Sequence, residues 1–271
     1  MTAILTTGPY GPGGGSKDML TGELNFMIDV YTWPTPNGHK VHIMLHETEL
    51  EHNIHPINIQ AGDQFKPEFL KISPNNKMPA IVDQDGPDGK SISVFESAAI
   101  LLYLAEKTHR FMPQEAHARV DVWQWLMFQM GTVGPMLGQA HHFNAYAPER
   151  IEREKIQYGI DRYVNESNRV YGVMDRRLQE AEWIAAGEYT IADMAIMPWL
   201  RNPDKQGVDI SRYPKLSAGV TRFGNDRRCW RLSKRWQISH VNRLPTRIKP
   251  GKSCMARHNP AKAVPLTDVR S

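Results

Sequence analysis

The chain has 271 residues, 41% hydrophobic and 23% charged, enough for one large or two small domains with proper cores. No run approaches the roughly 20 apolar residues of a membrane span, and the N-terminus lacks a basic stretch followed by an apolar segment, so a protein of the reducing cytoplasm with no membrane partner is expected. The net charge of +4 hides an asymmetry: from Arg212 to Ser271 ten Arg and five Lys stand against Asp226 and Asp268, net +13, whereas residues 1–211 hold 18 basic and 27 acidic side chains, net −9.

Residues 1–26, with Gly8-Pro9-Tyr10-Gly11-Pro12-Gly13-Gly14-Gly15-Ser16, bury too little apolar surface to offset their ordering entropy and read as a flexible leader. Met27 opens an alternating, β-rich run to Trp33, stopped by Pro34-Thr35-Pro36-Asn37-Gly38. Val41, Met44, Leu45 and Thr48 then recur at helical spacing. A second strand is expected around Ile54–Ile59 and a short helix near Lys66–Lys71. After Ser73-Pro74-Asn75-Asn76-Lys77-Met78-Pro79, the runs Ala80–Asp83 and Ile92–Phe95 flank a turn rich in Asp, Gly and Pro and read as a hairpin. Ala98–Glu106 is apolar and helix-favouring. The order βαβαββα over residues 27–109 is that of a thioredoxin-like domain.

Beyond Pro113 the pattern is helical. Val120–Gly138 and Arg150–Gln179 read as long helices, giving an all-helical second domain over 115–215 and an α/β plus all-α fold class. Trp123 and Trp125 are expected in core and domain-interface packing. Tyr189-Thr190-Ile191-Ala192-Asp193 places Thr at a helix N-cap with an acid three residues on, the spacing of a capping box, with a helix through Met197. Residues 216–271 form an atypical basic tail, open to three readings: a solvated extension, an altered reading frame, or a nucleic-acid arm. No aromatic-interleaved RNA motif or recognition helix accompanies its charge, so a nucleic-acid function is not expected. Neither is a metal, because the adjacent His141 and His142 point apart on a helix.

In open α/β folds ligands sit at strand carboxyl ends and helix N-termini. Those places hold Thr35 and Asn37, Lys77-Met78-Pro79, and Glu96-Ser97. The amides and hydroxyl at Ser97 can take a carboxylate while Glu96 attracts an ammonium, a pairing that suits a free amino-acid end; Ser97 also suits a plain helix cap. A cis bond before Pro79 would expose Met78 to an extended peptide, whereas a trans proline would simply open the strand. Thr35 and Asn37 precede the first helix, where a hydroxyl or amide can donate to a thiolate; Asn37 is equally a turn residue. The two cysteines, Cys229 and Cys254, are too few for a disulfide framework, and none occurs in the first 228 residues. Thiol chemistry must therefore use thiols that a ligand brings.

The motifs Thr35-Pro36-Asn37-Gly38-His39-Lys40, Gly62-Asp63-Gln64-Phe65, Ile72-Ser73-Pro74-Asn75-Asn76-Lys77-Met78-Pro79-Ala80-Ile81 and Phe95-Glu96-Ser97 resemble the Nu-class glutathione transferases, bacterial disulfide-bond reductases related to the fungal nitrogen-regulatory prion protein. The resemblance runs on through Gly134-Pro135-Met136-Leu137-Gly138-Gln139 and Tyr189-Thr190-Ile191-Ala192-Asp193, from about Met27 to Tyr213. It implies a homodimer that binds glutathione and reduces small disulfides without a protein cysteine; conjugation of electrophilic substrates, or glutathione binding without turnover, are the alternatives. By matching position it implies that Thr35 and Asn37 face the sulfur, Gln64 binds glutathione, Met78 pairs with its cysteinyl backbone, and Glu96 and Ser97 hold the γ-glutamyl end. Gln114 and Arg162 match further glutathione contacts, Gln114 across the dimer interface. Two departures stand out: Ala98 replaces a common glycine, and the further helices expected after Leu216 have no matching pattern.

Overall fold

Strand β1 (Ile28–Thr32) is the centre of the first domain. It pairs in parallel with β2 (His52–Pro56) and antiparallel with β3 (Ala80–Asp83), which pairs antiparallel with β4 (Ile92–Phe95), so the sheet order is β2-β1-β3-β4. The computed structural model describes residues 27–225; the expected leader and all of the tail beyond Asn225 lie outside the described residues. Helices α1 (Pro36–Thr48), α2 (Pro67–Leu70) and α3 (Ser97–Thr108) complete the order βαβαββα.

Alternation along the strands decides which face each helix covers. Ile28, Val30 and Ile81 point to the side where Val41, Met44 and Leu45 of α1 meet Leu101 and Leu104 of α3. Tyr31 and Ala80 point to the other side, against Phe69 of α2 and Ile57. Each fully buried Ile or Leu contributes roughly 1.5–3 kcal/mol, so the two layers hold the strand ends, and the loops on them, in fixed places.

The second domain comprises α4 (Ala116–Phe128), α5 (Gly134–His141), α6 (Arg153–Glu180), α7 (Ile191–Ile196) and α8 (Pro214–Asn225). The single long helix expected over Val120–Gly138 is interrupted by a wider, π-type turn at Gln129–Val133, a feature often found at functional sites. Every residue of α7 is buried. Its capping box forms as expected: Ala192 N–H donates to Thr190 Oγ1 at 3.2 Å and Thr190 N–H to Asp193 Oδ2 at 3.0 Å. Asp193 Oδ1 also accepts Ile184 N–H at 2.9 Å, tying the preceding loop to the helix. α7 packs against α1, α3 and α4, and one core runs through both domains.

Two expectations are corrected. Residue 216 does not end the regular fold: α8 crosses it with Leu216 and Phe223 buried and Val220 packed on the core. Their spacing of four and seven residues is helical, and the small and polar residues between them, Ser217, Ala218, Gly219 and Thr221, masked it. Trp123 is not in the core. The buried edge of α4 is Val122 and Leu126, and Trp123 lies about 100° around the helix, 44% exposed, whereas Trp125 packs on the core.

Candidate functional site

The loop after the carboxyl end of β1, the loop that leads into the amino end of the antiparallel β3, the start of α3 and the π-type turn enclose a cleft of ≈ 980 Å³. Six of the eight residues singled out from the sequence line it: Thr35, Asn37, Gln64, Met78, Glu96 and Ser97. The other two, Gln114 and Arg162, are exposed and lie outside it within this chain.

Thr35 is the N-cap of α1, and its hydroxyl oxygen accepts Gly38 N–H at 3.2 Å. With one lone pair committed to the cap, the hydroxyl hydrogen remains to donate, and it points at Met78 Sδ, 3.8 Å away. Gly38 is sterically required: a Cβ there would sit 2.3 Å from Trp33 O. Its absence lets the first turn of α1 press onto the end of β1 and sets Asn37 at the cleft. The Asn37 amide oxygen accepts the Trp199 indole N–H at 3.3 Å.

The opposite wall is the loop Ser73–Pro79. Ser73 Oγ donates to Lys77 O at 2.8 Å, and the Met78–Pro79 bond is cis, the first of the two alternatives that the sequence left open. Gln64 sits in a short helical turn, Asp63–Phe65; its Nε2 donates to Ile59 O at 3.4 Å and its Oε1 is buried without a hydrogen-bond partner. Such an acceptor costs roughly 1–3 kcal/mol unless a ligand or water satisfies it.

At the start of α3, Glu96 has φ 69° and ψ 118°, a left-handed conformation costly for a residue with a side chain. Its carboxylate accepts Asn75 Nδ2–H at 3.2 Å. Beneath it lies a buried cation absent from the sequence-based site. Lys40 of α1 is fully buried and donates to Ser97 Oγ at 3.1 Å and Gln129 Oε1 at 2.5 Å. Burial pushes its pKa down to about 7, opposed by the nearby Glu96 carboxylate. Because Lys40 donates to the Ser97 oxygen, the Ser97 hydroxyl hydrogen remains to donate, and it points at Met130 Sδ, 3.7 Å from Oγ, a weak acceptor that a ligand carboxylate can replace. The cationic head, the helix N-terminus and the serine hydroxyl together favour a carboxylate.

Lys40, Gln129, Met130 and Trp199 escaped the sequence reading. Nearly all of α1 from Gly38 to Leu45 is buried, so no amphipathic period marks Lys40 as inward. Gln129 and Trp199 come from the second domain and approach only in three dimensions.

A family model described as "Glutathione S-transferase, N-terminal domain" matches residues 35–107. The disulfide-bond oxidoreductase YfcG of Escherichia coli K12 is 49% identical over 191 residues, covering 70% of this chain and 86% of YfcG. A glutathione transferase family member from Pseudomonas fluorescens, solved with two glutathione bound, is 42% identical, with a TM-score of 0.71 over 78% of this chain and 94% of that one. A glutathione transferase from Pseudomonas putida, solved with one glutathione disulfide per subunit, is 40% identical, with a TM-score of 0.72 over 79% of this chain and 93% of that one.

Proposed function

The chain belongs to the glutathione S-transferase superfamily, and from that premise we propose that it is a glutathione-dependent disulfide-bond reductase. One observation carries the reading: a cleft with polar donors at strand ends and helix N-termini and, among the described residues, no cysteine in its lining. The redox sulfurs therefore belong to the ligands. The thiolate of one glutathione attacks a disulfide sulfur, forming a mixed disulfide and releasing the other half as a thiolate that takes up a proton. A second glutathione thiolate then attacks the glutathione sulfur of the mixed disulfide, giving glutathione disulfide and releasing the second substrate thiol. Holding the partners in one cleft replaces a multi-body encounter with a positioned one, and exchange depends on thiolate fraction and alignment.

The chain's residues have distinct parts in this scheme. Thr35 and Asn37 donate hydrogen bonds to the thiolate and lower the thiol pKa. Gln64 takes a ligand N–H on its unpartnered oxygen, Met78 pairs with the cysteinyl backbone, and Glu96 and Ser97 hold the γ-glutamyl ammonium and carboxylate. Gln114 and Arg162 complete the site from outside the cleft, Gln114 by reaching a second subunit. The dimer is supported by an apolar stripe on α4, Val120, Trp123 and Met127, which are 46%, 44% and 53% exposed. Gln114 lies just before that helix. A reducing cytoplasm, where glutathione is kept as the thiol, suits this chemistry.

The direct test is reduction of 2-hydroxyethyl disulfide by glutathione. We expect turnover to survive the Cys229→Ser/Cys254→Ser double substitution and to fall about tenfold or more in Asn37→Ala. Folded protein that binds glutathione and does not turn over is instead a binding module.

A further inference from the structure

Asn37 is useful to a thiolate only when its NH2 end, not its oxygen, faces the sulfur, and an unrestrained amide presents either end. We propose that Trp199 is a positioning residue that fixes this choice. The inference rests on the reading that Asn37 faces the ligand sulfur. An indole N–H is a donor and nothing else, so the amide atom 3.3 Å from Trp199 Nε1 is the Asn37 oxygen. The amide NH2 is thereby turned away from the indole, and both residues line the cleft. With the amide reversed, an oxygen would face the thiolate and raise the thiol pKa instead of lowering it.

The indole is itself held. Its ring lies over α5 where two glycines leave room: a Cβ on Gly138 would meet it at 3.4 Å and one on Gly134 at 3.6 Å. Its backbone oxygen accepts Gln206 Nε2–H at 2.8 Å, and Gln206 Oε1 accepts the Tyr171 hydroxyl at 2.8 Å. Tyr171 and Gln206 are buried. Each bond in this chain has a determined direction, because Trp199 N–H can only donate and its carbonyl can only accept. The helical domain thus reaches across to set the polarity of one amide in the first domain.

The test measures the pKa of bound glutathione by its ultraviolet thiolate absorbance, in the Cys229→Ser/Cys254→Ser background so that no protein thiol contributes. Trp199→Phe removes the N–H. Replacement of Trp199 by benzothienylalanine exchanges N–H for sulfur and keeps the shape, and it decides the matter if the Phe variant does not fold. We expect either change to raise the thiol pKa by about one unit, a roughly tenfold loss of thiolate and of kcat/KM on the acid limb, with little change in glutathione KM. Asn37→Ala should give the same rise, and the double variant no more than either alone. A rise in Asn37→Ala without one in the Trp199 variants, or additive rises, overturns the positioning role and leaves the Asn37 reading standing. No rise in Asn37→Ala overturns that reading and the inference with it.

Discussion

Lys40 has a price in stability that depends on pH. Its pKa falls from 10.5 to about 7 on folding because burial disfavours the charged form. Between those values the unfolded chain binds more protons than the folded one at this site, so its contribution to unfolding free energy rises with pH through the window. The expected gain is on the order of a few kcal/mol. Lys40→Met should lack it, as urea titrations of parent and variant at both ends of the window will record. The same proton loss weakens the pull on a carboxylate at Ser97. Thr35, Asn37, Met78, Glu96 and Ser97 were legible in sequence because each sits at a strand or helix boundary, which local pattern locates, whereas Gln64 came only from the family resemblance. Lys40 was not legible, because its partner Gln129 lies 89 residues away and only packing between the two domains buries it.

Among the elements, α7 is the one on which both domains lean, and its start depends on a single carboxylate. Asp193 accepts from Thr190 N–H and Ile184 N–H, and burial raises its pKa to about 6 against the pull of those amides. Asp193→Ala leaves two buried N–H groups without a partner, so a loss of about 2–4 kcal/mol is expected, measurable as a lower denaturant midpoint with an unchanged slope. Asp193→Asn keeps one acceptor and should lose less. The capping box was legible because it is confined to four consecutive residues. The π-type turn at Gln129–Val133 was not, since its helical pattern continues on both sides. α8 was obscured for a different reason: its apolar face, Leu216, Val220 and Phe223, is narrow and set among small and polar residues, with Gly219 and Thr221 of low helix propensity.

For the whole molecule, the decisive question is whether one chain makes a complete site. Gln114 and Arg162 stand outside the cleft, and the stripe of Val120, Trp123 and Met127 leaves apolar surface uncovered on α4. A charge there would oppose burial at a subunit contact without touching the cleft. On the proposed dimer, Trp123→Asp is therefore expected to shift the protein from dimer to monomer in sedimentation. Turnover should fall with it if Gln114 acts across that contact, while far-ultraviolet circular dichroism stays unchanged. The α/β plus all-α architecture was readable from strand and helix periods alone, whereas assembly depends on which side chains the folded surface leaves exposed, as Trp123 shows.

Among the described residues, the sulfur in the cleft wall is all thioether, from Met78 and Met130. A reductase built on its own cysteines is disarmed when peroxide carries a thiolate to sulfinic or sulfonic acid, and alkylating poisons cap it permanently. Here the expendable sulfur belongs to a metabolite replaced at every turnover. Along the described cleft wall oxidants meet methionines, whose sulfoxides are repairable, so turnover should persist through oxidative episodes that would disable a cysteine-based reductase.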